Sequence, residues 1–491
     1  MRRLVVCCDG TWQDVAADGN VARLYRAHRA DRGSPPARYV PGVGTSRLDP
    51  IGNLRAGLTG AGLDRSITDG YRYLVDTYRP GDRISLFGFS RGAYTARSLA
   101  GMVGRVGIVD GTALDPAARA DAVRRAYRRY RDLRTRPADD GWSTGLVLAY
   151  DSGEPTSPIE FVGVWDTVGA LGIPEYVGIP DLVHSREHYT FLDVTLDPRI
   201  PVARHAVSLD ELRGAFRPTL WDPPAPGQDV RQVWFPGDHG DVGGGYAEKG
   251  LSDAALAWMA AQATHLTFEL SALADFAPSP TGPAHTLADG LVGAALEIAF
   301  QPRPRTVPRV DTSRPEPAVS EVALQRQAAQ GYRRTTTLAA GQTARLTVPA
   351  DRVWTATGLW LEKGEYRFTA EGRWSSAGRS CGPAGDTRWH LSGGAFSAVL
   401  DRLEGMLRRV VGNPRAELAF SRRHNDLAWF SLVGSVANAP TPEADDTVIP
   451  IGTGATAEVR DEGYLYAYPN DALGCYGNNA GEIALTVGRL S

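Results

Sequence analysis

The sequence predicts an α/β domain built on a parallel sheet, followed by an all-β sandwich. Two changes of texture along the 491 residues predict it. From residue 1 to about 300, short apolar runs alternate with longer helical stretches, the pattern of strands joined by crossover helices. After about residue 333, short strands divided by Gly, Pro and Asn turns take over, as in a sandwich of about 150 residues. Between the two, "QPRPRTVPRVDTSRPEPAVS" (301–320) is proline-rich without apolar periodicity and reads as a wrapping loop or linker. The expected division is therefore 1–332 and 333–491.

The elements follow in order. Strands are expected at "LVVCCD" (4–9), "RISLFGFS" (83–90), "IEFVGVWD" (159–166) and "VRQVWFPG" (230–237). Helices are expected over 61–79, 92–106, the arginine-rich 115–134 and 252–264. The arginine-rich helix reads as a solvated face before it reads as a membrane-binding surface. In the C-terminal region, "TTTLAAGQTARLTVPA", "VWTATGLWLEKGEYRFTAEGRW", "EGYLYAYP" and "GEIALTVG" supply the sandwich strands.

Composition narrows the function classes. With 43% hydrophobic and 22% charged residues the chain can bury a sizeable core. A net charge of −3 gives no reason to expect a nucleic-acid partner, and lysine occurs only at Lys249 and Lys363. No apolar run reaches 18 residues, so no transmembrane segment is expected. The N-terminal "MRRLVVCCDGTW" stops being apolar at Asp9, which marks a first strand and not a signal peptide. The expected location is cytoplasmic as synthesised, or outside the cell by a route that needs no signal peptide. Four cysteines are too few for a disulfide framework.

The chemistry centres on "GDRISLFGFSRGAYTARSLAGMVG" (81–104). A buried strand, Gly88-x-Ser90-x-Gly92 and a small-residue helix make the nucleophile-elbow pattern, in which glycine neighbours clear space around a strained serine. The acid and histidine then follow on later strand ends. "FVGVWDTVGALG" offers Asp166 directly after an apolar run, although an aspartate there can also simply cap a helix. "VWFPGDHGDVGGGY" places His239 in a glycine-rich loop past another. His205 in "VARHAVSLDELR" competes as the base but reads as opening an amphipathic helix, while His184 and His188 lie in a polar insertion. An oxyanion hole would draw on the N–H of Arg91 and on Gly10 or Thr11 in "CCDGTW". Asp9 shapes that loop, or hydrogen-bonds the elbow. "GALGIPEYVGIP" (169–180) lines an acyl pocket or is a packed crossover.

With these stretches in hand, residues 1–332 resemble the α/β-hydrolase family that includes type VI secretion phospholipase effectors. "CCDGTW", "GFSRGAYTAR", "VGVWDTVGALG", "RHAVSLDELR" and "VWFPGDHGDVGGGY" occur in the family's order. The resemblance implies ester hydrolysis by a Ser90–Asp166–His239 triad, with lipids and particularly phospholipids as substrates. Other readings fit less. A haloacid-dehalogenase-type phosphatase would need an aspartate where Cys7 stands, and "GLTGAGLDR" lacks the Gly-Lys-Ser/Thr of a P-loop. A metal hydrolase using Asp238, His239 and Asp241 is the enzymatic alternative. A carbohydrate-binding protein with a degenerate hydrolase domain is the non-enzymatic one.

The C-terminal stretches "GRWSSAGRSCGPAGD" and "YPNDALGCYGNNAGEIALTVG" resemble calcium-dependent galactose-binding bacterial lectins. That resemblance implies one Ca²⁺ held by side-chain oxygens of Asp471, Asn478 and Asn479 and by the carbonyls of Cys475 and Ala377. Asp386 is a further candidate, and a galactoside or other glycan is the implied ligand. The chain departs from those lectins in carrying Trp389 where they place a histidine, with His390 next. A plain Asx-turn loop is the alternative. By the same resemblance Cys381 and Cys475 lie close enough to pair, or are two unrelated thiols.

Overall fold

The computed structural model describes residues 1–10, 18–30, 32–42, 62–132, 141–169, 195–285, 302–376, 379–386, 422–439, 444–473 and 475–491. Two compact units emerge. Among the described residues the first holds everything to Leu209 together with Pro218–His285, and the second holds Asp210–Arg217 and everything from 302 onward.

In the first unit the strands of the main sheet are β1 (Arg3–Cys8), β2 (Arg38–Val40), β3 (Arg83–Phe89), β4 (Ile159–Trp165), β5 (Val202–Ser208) and β6 (Asp229–Phe235). They form one sheet in the order β2-β1-β3-β4-β5-β6, and each neighbouring pair is parallel. Leu4 to Cys8 and Ile84 to Phe89 are buried without alternation, as strands covered on both faces must be. The chain leaves β1 toward β2 on one side, whereas β3 and its successors lie on the other. The C-terminal ends of β1 and β3 thus flank the point where the strand order reverses, the usual place for a site.

Helices complete the unit: α1 (Asn20–Ala27), α2 (Leu63–Thr77), α3 (Arg91–Val106), α4 (Pro116–Asp132), α5 (His239–Gly243) and α6 (Gly250–Gln262). On α2, Leu63, Ile67, Tyr71, Leu74 and Val75 make one buried stripe at helical spacing. The arginine-rich α4 starts at Pro116, with Asp115 accepting the N–H groups of Ala117 and Ala118 at 2.9 Å each. Its Val123, Ala126, Tyr127 and Tyr130 are buried, while Arg124 and Arg128 are exposed on the outer side. Among the described residues no helix is long and apolar enough to cross a membrane.

One expected element differs. The stretch around His205, read as the start of a helix, is the strand β5, which lies between β4 and the edge strand β6. Its polar residues are satisfied in place: Arg204 donates to Asp229 Oδ2 at 2.6 Å and to Gln262 Oε1 at 2.8 Å.

The second unit contains α7 (Glu321–Gln330) and nine strands among the described residues: β7 (Thr343–Pro349), β8 (Thr355–Leu361), β9 (Gly364–Ser376), β10 (Arg379–Cys381), β11 (Leu432–Ala437), β12 (Thr447–Pro450), β13 (Gly454–Val459), β14 (Gly463–Pro469) and β15 (Asn479–Arg489). One sheet runs β7-β15-β9-β10 with β13 also on β9, and the other runs β8-β14-β11-β12. Val348, Tyr366, Phe368, Trp374 and Ile483 of the first share a core with Leu359, Leu361, Leu432, Val436 and Leu465 of the second. The result is an antiparallel sandwich.

Where the sequence divides at 332/333, the contacts divide earlier. Residues 302–332 join the sandwich because Val310 donates its N–H to Tyr464 Oη at 2.9 Å and the Trp354 indole donates to Pro302 O at 2.6 Å. All four cysteines are free thiols, so Cys381 and Cys475 are not joined here.

Candidate active site

The strand β3 ends at Phe89 and α3 begins at Arg91, which leaves Ser90 alone at the turn with φ 57° and ψ −123°. A non-glycine residue pays strain of about 1–3 kcal/mol in such a conformation. The flanking glycines make the turn possible. A Cβ on Gly88 would stand 2.4 Å from Gly92 O, and one on Gly92 would stand 2.2 Å from Cys8 O. Ser90 N–H donates to Trp165 O at 3.0 Å, which ties the elbow to the residue before Asp166.

Asp166 follows β4 at φ 36° and is fully buried. Its N–H donates to Ala206 O at 2.7 Å, and its Oδ1 accepts the Ser208 N–H at 2.9 Å. Oδ2 lies 2.6 Å from His239 Nδ1. A carboxylate only accepts, so Nδ1 carries a proton and Nε2 is left for a nucleophile. His239 opens α5, whose N-terminus is closed by a capping box between Asp238 and Asp241. Its ring lies 4.5 Å from that of Phe89, the residue before Ser90. The serine turn, the acid and the imidazole therefore converge at the C-terminal ends of β3, β4 and β6.

The candidate oxyanion donors differ in state. Arg91 N–H belongs to the first turn of α3, where helical N–H groups have no intrahelical acceptor. Burial pulls the Arg91 guanidinium down to about 10. Gly10 lies close, since a Cβ on it would be 3.4 Å from Ser90 Cβ. Its N–H, however, donates to Asp9 Oδ1 at 2.8 Å, and Asp9 Oδ2 accepts the Tyr39 hydroxyl at 2.5 Å. Asp9 thus shapes the loop. Thr11, like His184, His188 and residues 170–180, lies outside the described residues.

The metal-hydrolase alternative loses its ligands to local structure. Asp238 accepts from Gly240, Asp241 and the Tyr246 hydroxyl, at 2.8, 3.0 and 2.7 Å. Asp241 accepts from Asp238 N–H and from the His285 backbone and ring, at 3.0, 2.8 and 2.7 Å. Among the described residues no three His, Cys, Asp or Glu side chains gather as metal ligands. His205 is fully buried, with Nε2 accepting the Thr167 N–H at 3.0 Å. That nitrogen is engaged by the backbone beside Asp166. Sequence reasoning missed Ser208, whose N–H reaches Asp166 from 42 residues away and leaves no local signal.

A family model for the type VI secretion phospholipase effector Tle1-like catalytic domain matches residues 2–262. The chain belongs to that family. An uncharacterized protein of Saccharomyces cerevisiae is 29% identical over 244 residues, covering 45% of this chain and 33% of that protein. This chain thus spans a third of that relative's length. Among solved structures, the Tle1 effector bound to the VgrG spike of the type VI secretion system is 14% identical at a TM-score of 0.27, covering 97% of this chain and 70% of that one. An EclA N-terminal domain described as a PllA-like lectin is 21% identical at a TM-score of 0.19, covering 30% of this chain and 94% of that one.

The Tle1-like match ends before the sandwich, where the other expected site lies. Asp471 is buried, and burial raises its carboxyl above the usual range. Its Oδ2 accepts from Asn479 Nδ2 at 2.8 Å and its Oδ1 from Ala472 N–H at 2.8 Å. Asn479 Oδ1 is buried with no hydrogen-bond partner among the described residues. Asn478 Oδ1 accepts from Ser376 Oγ at 3.1 Å, and Cys475 N–H donates to Ala472 O at 3.1 Å. The oxygen here that local hydrogen bonds leave unused is Asn479 Oδ1, a donor type that suits a hard cation. Asp386 sits on a turn bonded to Trp429, its N–H donating to Trp429 O at 2.8 Å. Ala377, Trp389 and His390 lie outside the described residues.

Proposed function

We propose that the first unit is a serine esterase acting on lipid esters, in particular phospholipids. The observation that carries this is the 2.6 Å contact between His239 Nδ1 and Asp166 Oδ2 beside a strained Ser90. In this reading His239 Nε2 takes the Ser90 Oγ proton as the oxygen attacks the ester carbonyl. The Arg91 N–H steadies the resulting oxyanion, and Gly10 contributes only if its N–H leaves Asp9. His239 then returns the proton to the leaving alcohol, and water releases the acyl group by the same relay. The family is described as one of type VI secretion effectors, and export without a signal peptide is part of this reading.

The sandwich is read as a calcium-dependent carbohydrate-binding module. Asp471, Asn479 and Asn478, with carbonyls of Cys475 and Ala377, would hold one Ca²⁺, which would supply a direct contact to sugar hydroxyls. The orphaned Asn479 Oδ1 supports it.

The deciding experiment compares wild type with Ser90→Ala on p-nitrophenyl butyrate and on phospholipid vesicles, with products read by mass spectrometry. Loss of both activities and of fluorophosphonate labelling in a folded variant is expected. Wild-type turnover by Ser90→Ala would remove the serine mechanism, and ester cleavage without phospholipid cleavage would remove the phospholipid assignment.

A further inference from the structure

The strand β5 carries "RHAVS", a stretch the triad itself does not use, yet it touches the acid loop at three successive points. Ala206 O accepts the Asp166 N–H at 2.7 Å, His205 Nε2 accepts the Thr167 N–H at 3.0 Å, and Ser208 N–H donates to Asp166 Oδ1 at 2.9 Å. We propose that His205 and Ser208 are positioning residues that hold Asp166 and the His239 loop in register for proton transfer, an inference that rests on the triad reading above.

The need for such a hold is visible in the backbone. Asp166 has φ 36°, a region that a non-glycine residue leaves unless its neighbours fix it. Thr167 is fully buried, so its N–H must find an acceptor inside the protein. Only an unprotonated ring nitrogen can accept, which puts the His205 proton on Nδ1. That nitrogen faces Gln232 Oε1 at 3.3 Å. Gln232 is itself oriented: its Oε1 accepts the Trp221 N–H at 2.7 Å and its Nε2 donates to Trp221 O at 3.0 Å. The amide therefore turns its oxygen to His205, and the tautomer is dictated from Trp221 inward.

Ser208 joins the two halves of the relay. While its N–H holds one oxygen of Asp166, its hydroxyl donates to Gly237 O at 2.8 Å. Gly237, at φ +92°, begins the turn that leads two residues later to His239. A Cβ there would stand 2.3 Å from Asp241 Cβ, so the turn has little freedom of its own. One residue thus sets acid and base relative to each other.

The test uses the full chain on p-nitrophenyl butyrate, with Ser90→Ala as reference. His205→Leu removes the acceptor, and kcat is expected to fall on the order of 10²-fold with KM within about twofold. His205→Gln offers Oε1 at nearly the reach of Nε2 and is expected to restore most of kcat. Wild-type kcat in His205→Leu, or equal impairment in the Leu and Gln variants, overturns the positioning role. Should circular dichroism show His205→Leu unfolded, Ser208→Ala decides: a lower kcat at unchanged KM supports the proposal, and an unchanged kcat defeats it. Activity retained by Ser90→Ala would bring down the triad reading and this inference together. A dead Ser90→Ala beside unaffected His205 and Ser208 variants removes the inference alone.

Discussion

A Cβ on Gly243 would stand 1.9 Å from Cε2 of Phe89, with Cδ2 and Cζ of the same ring at 2.2 Å. The strand that delivers Ser90 and the short helix that begins at His239 therefore meet with no room for a side chain. His239 rests on that same ring. Gly243→Ala must move either Phe89 or α5, and either shift displaces the imidazole from its place beside the elbow. Overpacking of this kind costs about 1–3 kcal/mol. The expected outcome is a stability loss of that size by chemical denaturation and a kcat loss on the order of 10-fold or more. A variant with wild-type kcat would show that the contact does not set the position of His239.

The Ser90 backbone gives a stability test separate from chemistry. At φ 57° and ψ −123° a residue with a Cβ is strained, and glycine is not. Ser90→Ala and Ser90→Gly should both lack esterase activity, while the glycine variant should be the more stable of the two by about 1 kcal/mol. Denaturant midpoints at unchanged slope measure the difference. An alanine variant as stable as the glycine one would mean the elbow stores no strain.

Much of this was legible in the sequence, and the exceptions have physical causes. β1, β3 and β4 announce themselves because both faces are buried and their runs are apolar. β5 does not, because Arg204 and His205 interrupt it, and their partners Asp229, Gln262, Thr167 and Gln232 are far away in sequence. The proposed site residues Ser90, Asp166 and His239 are candidates from loop chemistry at strand ends alone. Their struts are not: Ser208 acts through a backbone N–H and a carbonyl 29 residues on. Likewise, Asp238 and Asp241 look like ligands in a list of residue types. Only the capping box reveals that their oxygens are committed.

Asp166→Asn tests the tautomer directly. The amide can still accept from Ser208 N–H through its oxygen, so the loop should hold. Its Nδ2 would then face His239 Nδ1 as a donor, forcing the proton onto Nε2, where it blocks the uptake of the serine proton. A kcat loss on the order of 10³- to 10⁴-fold is expected, the scale seen when a serine triad loses its correct tautomer. KM should change little. Turnover within tenfold of wild type would mean that Asp166 does not set the protonation of His239.

The charge on Asp471 predicts how the sandwich responds to calcium and to pH. Burial raises its carboxyl, so the folded unit binds the proton more tightly than the unfolded chain does. A group shifted in that direction lowers stability as pH rises from the usual aspartate range through the raised value, and the deficit persists at neutral pH. A cation bound to the ionised carboxylate and to the orphaned Asn479 Oδ1 would reverse this, adding about 2.7 kcal/mol at a hundredfold excess over its dissociation constant. Asp471→Asn removes the charge while keeping the shape. In EDTA at pH 7 it should therefore melt above wild type, and added Ca²⁺ should no longer raise its Tm. Wild type should show the opposite pattern, a lower Tm in EDTA and a clear rise with Ca²⁺, the rise growing when galactose is present. Hydrolysis of p-nitrophenyl butyrate should be the same with and without EDTA, since no step of the serine relay uses the metal. A wild-type Tm that ignores Ca²⁺ even with galactose present would reduce the Asp471 loop to a structural turn.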